Sequence, residues 1–73
     1  MKIGQIEIDG NSHKFGYERD ETFEGLKYKI SDLTTRVIVW RDEKGKWHQE
    51  AKGSAPLSQD TLEKVIEEIL ANP

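Results

Sequence analysis

Arg36-Val37-Ile38-Val39-Trp40-Arg41-Asp42-Glu43-Lys44-Gly45-Lys46-Trp47-His48-Gln49-Glu50-Ala51-Lys52 is the stretch that decides the fold. Its first six residues are the most β-prone run in the chain, with two valines, an isoleucine and a tryptophan consecutive. Asp42 has the chemistry that opens a type I turn, and Gly45 stands where a left-handed residue is needed, so the segment reads as a three-residue hairpin loop with a bulge. That loop pairs Asp42 with Lys46, Trp40 with His48, Ile38 with Glu50 and Val37 with Ala51. Val37, Val39, Trp47 and Ala51 then share one face, and Arg36, Ile38, Trp40, His48 and Lys52 the other. Four apolar residues in a row imply that both faces are partly covered or that one is sticky.

The same alternation extends outward on both sides. Ile6 and Ile8 lead into Asp9-Gly10-Asn11-Ser12, a tight turn, beyond which His13, Phe15 and Tyr17 alternate. Either two-residue loop places Ile6, Ile8, Phe15 and Tyr17 on one face. After the polar turn Arg19-Asp20-Glu21-Thr22, the residues Leu26, Tyr28 and Ile30 alternate with Lys27 and Lys29 as a third strand. Ser31-Asp32-Leu33-Thr34 is expected to connect it to Arg36. Gly53-Ser54-Ala55-Pro56 breaks the sheet, and Ser58 is a good N-cap for a helix, with Leu57 placed to staple onto Leu62. Leu62, Val65, Ile66, Ile69 and Leu70 recur as one apolar stripe, and Asp60 can pair with Lys64 one turn on.

A one-faced sheet and a one-striped helix must cover each other. The expected helix-side face is Ile6, Ile8, Phe15, Tyr17, Leu26, Tyr28, Val37 and Val39. The chain is therefore read as one α+β domain, residues 1–73, with a five-stranded antiparallel sheet and one C-terminal helix packed on one face. A simple meander and a small curled barrel share this pattern.

Composition bounds what such a domain can do. A chain of 73 residues, 34% of them apolar, needs nearly all its apolar side chains for a core. Function is thus expected on a surface rather than in a deep cavity. With no cysteine, no disulfide framework, thiolate zinc site or cysteine nucleophile can be built. Alternation begins at the N-terminus with no apolar leader, and no apolar stretch is long enough for a membrane span, so a cytoplasmic location is expected. The net charge of -3 is uneven: residues 1–25 and 53–73 each carry -3, whereas residues 26–52 carry +3 and both tryptophans.

Catalysis lacks an inventory. The two histidines, His13 and His48, fall on different hairpins, and there is no His-x-x-x-His pair, Gly-x-Ser-x-Gly elbow or Gly-rich phosphate loop. Nearly all the carboxylates fall in turns or on the wet face of the helix, where nothing raises a pKa. An enzyme, a cofactor and a resident metal are not expected. Asp20, Glu21 and Glu24 cluster in one loop but lack the ligand spacing and glycine of a calcium loop.

What remains is the sheet face opposite the helix, expected to carry Lys27, Lys29, Arg36, Ile38, Trp40, Lys46, His48 and Lys52. An uncovered Ile38–Trp40 pair rimmed by charge has the composition of a protein-binding hot spot, and the edges of an open sheet can pair with a second copy or a partner chain. The leading expectation is a non-enzymatic module that binds a protein partner through this face, with a homodimer as one form. Cations beside an aromatic are also what single-stranded nucleic-acid binders use, which makes single-stranded DNA the alternative partner. The order of strand, Gly45 turn, strand, Lys52-Gly53 and a helix opened by Leu57-Ser58 resembles the end of the transcriptional coactivator family that binds single-stranded DNA as a dimer. That resemblance covers the last third of the chain and implies the same alternative.

Overall fold

In the computed structural model, which describes residues 1–31, 36–53 and 55–73, β1 (Lys2–Ile8) turns into β2 (Asn11–Arg19) through Asp9 and Gly10. Both turn residues adopt positive φ, 50° and 79°, the left-handed pair that matches the twist of a two-residue hairpin. Ile8 lies opposite Asn11, Ile6 opposite His13 and Gly4 opposite Phe15. The chain continues through β3 (Lys27–Ser31), β4 (Arg36–Arg41) and β5 (Trp47–Ala51) in the spatial order β1-β2-β3-β4-β5. The sheet is thus an open antiparallel meander and not a closed barrel. Of the connection expected at Ser31-Asp32-Leu33-Thr34, residues 32–34 lie outside the described residues, as does Ser54 of the expected sheet break.

The decisive hairpin forms in the expected register. Trp40 faces His48, Ile38 faces Glu50 and Val37 faces Ala51, and the Asp42 amide donates to the Lys46 carbonyl at 2.9 Å. Gly45 has φ 83° and donates to the Asp42 carbonyl at 3.0 Å, closing the loop.

Ser58 caps α1 (Gln59–Ala71), its hydroxyl accepting from the Thr61 amide at 3.3 Å. The apolar stripe of Leu62, Val65, Ile66 and Ile69 is buried, while Leu70 at its margin stays 46% exposed. Lys64 does not take the expected partner Asp60. Its ammonium donates instead to the Glu7 carbonyl at 3.0 Å, because α1 lies beside β1. Gly4 makes that approach possible: a Cβ there would meet the Glu68 Cγ at 3.0 Å and the Phe15 ring at 2.5 Å.

The core is the layer between sheet and helix, with Phe15, Tyr17, Tyr28, Ile30, Val37 and Val39 against the four buried helix residues. Ile6, Leu26, Trp47, Ala51 and Leu57 pack around it. Tyr17 and Tyr28 meet edge-on with ring centroids 6.2 Å apart. The Tyr17 hydroxyl donates to the Asn72 carbonyl, fastening the end of α1 to β2. Among the described residues ten buried apolar side chains, at roughly 1.5 to 3 kcal/mol each, supply the main force holding the two layers together.

Candidate binding face

Strand alternation sends every second side chain to the side of the sheet away from α1. Registers set them in rows. One row runs Lys27, Trp40, His48; the next runs Glu18, Lys29, Ile38, Glu50. A third brings Gly16, Ser31 and Arg36 abreast, with the Lys52 amide donating to the Arg36 carbonyl at 2.9 Å. Seven of the eight expected face residues are brought together in this way. Lys46 is the exception. It lies outside β5 at the hairpin end and lines the groove between β5 and α1.

Trp40 and His48 stack, with centroids 5.5 Å apart and planes 20° from parallel. The imidazole is held in turn by Asp42, whose Oδ2 lies 2.7 Å from His48 Nε2. The other carboxylate oxygen accepts the Lys44 and Lys46 amides, each at 2.9 Å. The His48 bond, then the Lys46 amide, hold the Asp42 carboxyl below its ordinary value, because each favours the ionised form. A turn carboxylate therefore fixes a histidine, and the histidine supports an indole. The aromatic pair is thus held by contacts within the chain itself.

Around it the cations are partly paired. Lys27 lies 5.2 Å from the centroid of the Phe23 ring and 4.0 Å from Asp20 Oδ2, and Lys52 lies 3.5 Å from Glu50. Asp20 itself accepts from the Thr22 hydroxyl at 2.6 Å and the Thr22 amide at 3.0 Å. Those bonds lower its pKa and commit one of its oxygens to the turn. Among the described residues no group of three or more His, Asp or Glu side chains is placed to hold a metal ion. His13, opposite Ile6, is on the helix side of the sheet and so faces away from His48.

Several members of the face were not singled out from the sequence. Glu18 and Glu50 interleave with the lysines, and their strand parity was the signal that could have placed them. Met1 and Ile3 extend the face over β1 and β2, 79% and 66% exposed. Gly16 leaves the space: a Cβ there would meet the Met1 sulfur at 2.6 Å. Phe23 reaches Lys27 from an irregular loop, where no periodicity points to it.

The two tryptophans thus serve opposite sides. Trp47 packs on the core and lines a groove with Leu62 and Ile66, whereas Trp40 stands on the face with no helix over it. No helix among the described residues is long and apolar enough to cross a membrane. Comparison of the chain with protein-family models, with curated proteins and with solved structures finds no match.

Proposed function

We propose that this chain is a small non-enzymatic interaction module that binds a protein partner through the helix-free sheet face centred on Trp40. The observation that carries the reading is the ordered Trp40–His48 stack beside Ile38, on the one sheet face that α1 leaves uncovered. Tryptophan in a pre-arranged, half-desolvated setting is where binding energy concentrates, since little side-chain entropy is left to lose. The cations of the face, Lys27, Lys29, Arg36 and Lys52, suit a partner that sets an apolar side chain among carboxylates. Glu18 and Glu50 between them give the face a mixed pattern, which selects a partner by register more than by bulk charge.

Affinity capture with wild-type and Trp40→Ala baits tests this, followed by lysine-modification footprinting of the complex. Loss of at least tenfold in affinity on truncation, about 1.4 kcal/mol, is expected, with Lys27 and Lys29 shielded and Lys64 left reactive. A complex that W40A forms equally well, or that shields only Lys64, overturns the reading.

The row Lys27–Trp40–His48 with Lys29 beside it also favours a second reading, single-stranded DNA laid across the same face. Four cations contacting phosphates would give a log–log salt slope of about -3, at roughly -0.7 per contact. Titration with oligothymidylate separates the two. A tight quench of tryptophan emission that collapses as salt rises transfers the face to nucleic acid, and an unchanged spectrum supports the protein partner.

A further inference from the structure

β5 is an edge strand, and the geometry of its hairpin decides which backbone groups it presents outward. The Asp42 amide donates to the Lys46 carbonyl and the Lys52 amide to the Arg36 carbonyl, so residues of even number bond to β4. Trp47, Gln49 and Ala51 therefore turn their N–H and C=O groups to the free side, while their side chains face α1. The opposite edge of the sheet is better guarded: on β1 the Glu7 carbonyl already accepts from Lys64, and Lys2 donates to the Pro73 carbonyl.

The helix leaves room beside β5 for the same reason that it crowds β1. Glu68 sits directly over Gly4, so α1 leans to the β1 side, and a groove of about 350 Å³ opens between its other flank and β5. Trp47, Leu62 and Ile66 line it, with Lys46, Glu63 and Glu67 around them. Among the described residues neither Glu63 nor Glu67 forms an ion pair. Among the described residues no backbone group pairs with the outward side of β5, and an apolar groove and a wall of two carboxylates lie beside it.

We propose that an extended basic peptide adds to β5 as a sixth strand, seating an apolar side chain against Trp47 and Ile66 and a lysine or arginine beside Glu63 or Glu67. Main-chain bonds to Trp47, Gln49 and Ala51 supply affinity, and the groove reads alternate side chains, since residues two apart in a strand share a face. The cation and the apolar residue must therefore be two positions apart. This site is on the side of the sheet away from Trp40 and stands independently of the face described above.

The probe is the acetylated, amidated, fluorescein-labelled peptide Thr-Lys-Thr-Leu-Thr-Lys-Thr, compared with its counterpart carrying glutamate for both lysines. Anisotropy titration should show the lysine peptide binding at least tenfold tighter, and a Glu63→Lys, Glu67→Lys double variant should reverse that order. Amide exchange at Trp47, Gln49 and Ala51 should slow on binding, and W40A should bind the peptide as the wild type does. Absence of binding, equal binding of the two peptides, unchanged exchange along β5, or loss of binding in W40A each overturns the proposal.

Discussion

Two glycines in facing strands show how one missing Cβ can matter in opposite ways. Gly4 is buried beneath α1, where a methyl group would drive into the Phe15 ring at 2.5 Å and press on Glu68. The ring is locked in the core, 5% exposed, and has nowhere to move. Gly16 lies on the uncovered face, where the same methyl presses on Met1, a flexible side chain that is 79% exposed, and meets the Ser31 carbonyl oxygen only at an ordinary contact distance of 3.6 Å. Gly4→Ala should cost about 1 to 3 kcal/mol as an overpacking change, whereas Gly16→Ala should be neutral within about 0.5 kcal/mol. Thermal melts followed by circular dichroism measure both, at roughly 4–8 °C per kcal/mol for a domain of this size. Equal shifts would mean that α1 does not rest on β1 as described. Neither effect was legible in the sequence, because alternation places a glycine on a face without saying what presses on it.

The β4–β5 hairpin is the element in which sequence and structure agree most closely, for a physical reason. Its loop is short, and Asp42 and Gly45 occupy the two positions with strict chemical demands, so the turn fixes the register and the register fixes both faces. Lys46 lay beyond that logic, since it belongs to the hairpin loop and not to β5, whose alternation had placed it with Trp40. The partner of Lys64 was likewise hidden: spacing within a helix offered Asp60, while the nearer acceptor came from β1, remote in sequence. Asp42 also gives the hairpin an acid-sensitive latch. Its carboxyl is held below the ordinary value by His48 and two backbone amides, so its contribution to stability is complete above the ordinary carboxylate pKa. That contribution is lost as pH falls through the lower folded-state value. Asp42→Asn should therefore melt below the wild type at neutral pH, and the gap should narrow as pH falls below the ordinary carboxylate value of about 4. A gap that stays constant over that range would show that the charge of Asp42 does not stabilise the hairpin.

At the scale of the whole molecule, one helix covers one side of the sheet, and that asymmetry assigns different work to the two tryptophans. Strand parity in the sequence puts residues 40 and 47 on opposite faces, but which of the two is the core tryptophan was not legible there; the structure packs Trp47 against the core. The fine composition of the uncovered face was not legible either, since Phe23, Met1 and Ile3 join it through a loop and a strand end that carry no periodic signal. Trp47 packs against the core next to Leu62 and Ile66, so its truncation strips apolar contacts from the layer that holds the domain together. Trp40 touches His48 on the open face, and its truncation removes one ring stack worth about 0.5 to 1.5 kcal/mol. A 73-residue domain has a total stability of roughly 4 to 11 kcal/mol, so the two losses should be easy to tell apart. Trp47→Ala should lower the melting temperature at least twice as far as Trp40→Ala, and only W40A should keep a cooperative transition close to that of the wild type. The reverse order in calorimetry would place the indole of Trp40 in the core, and the open face would then lose the residue on which its binding role depends.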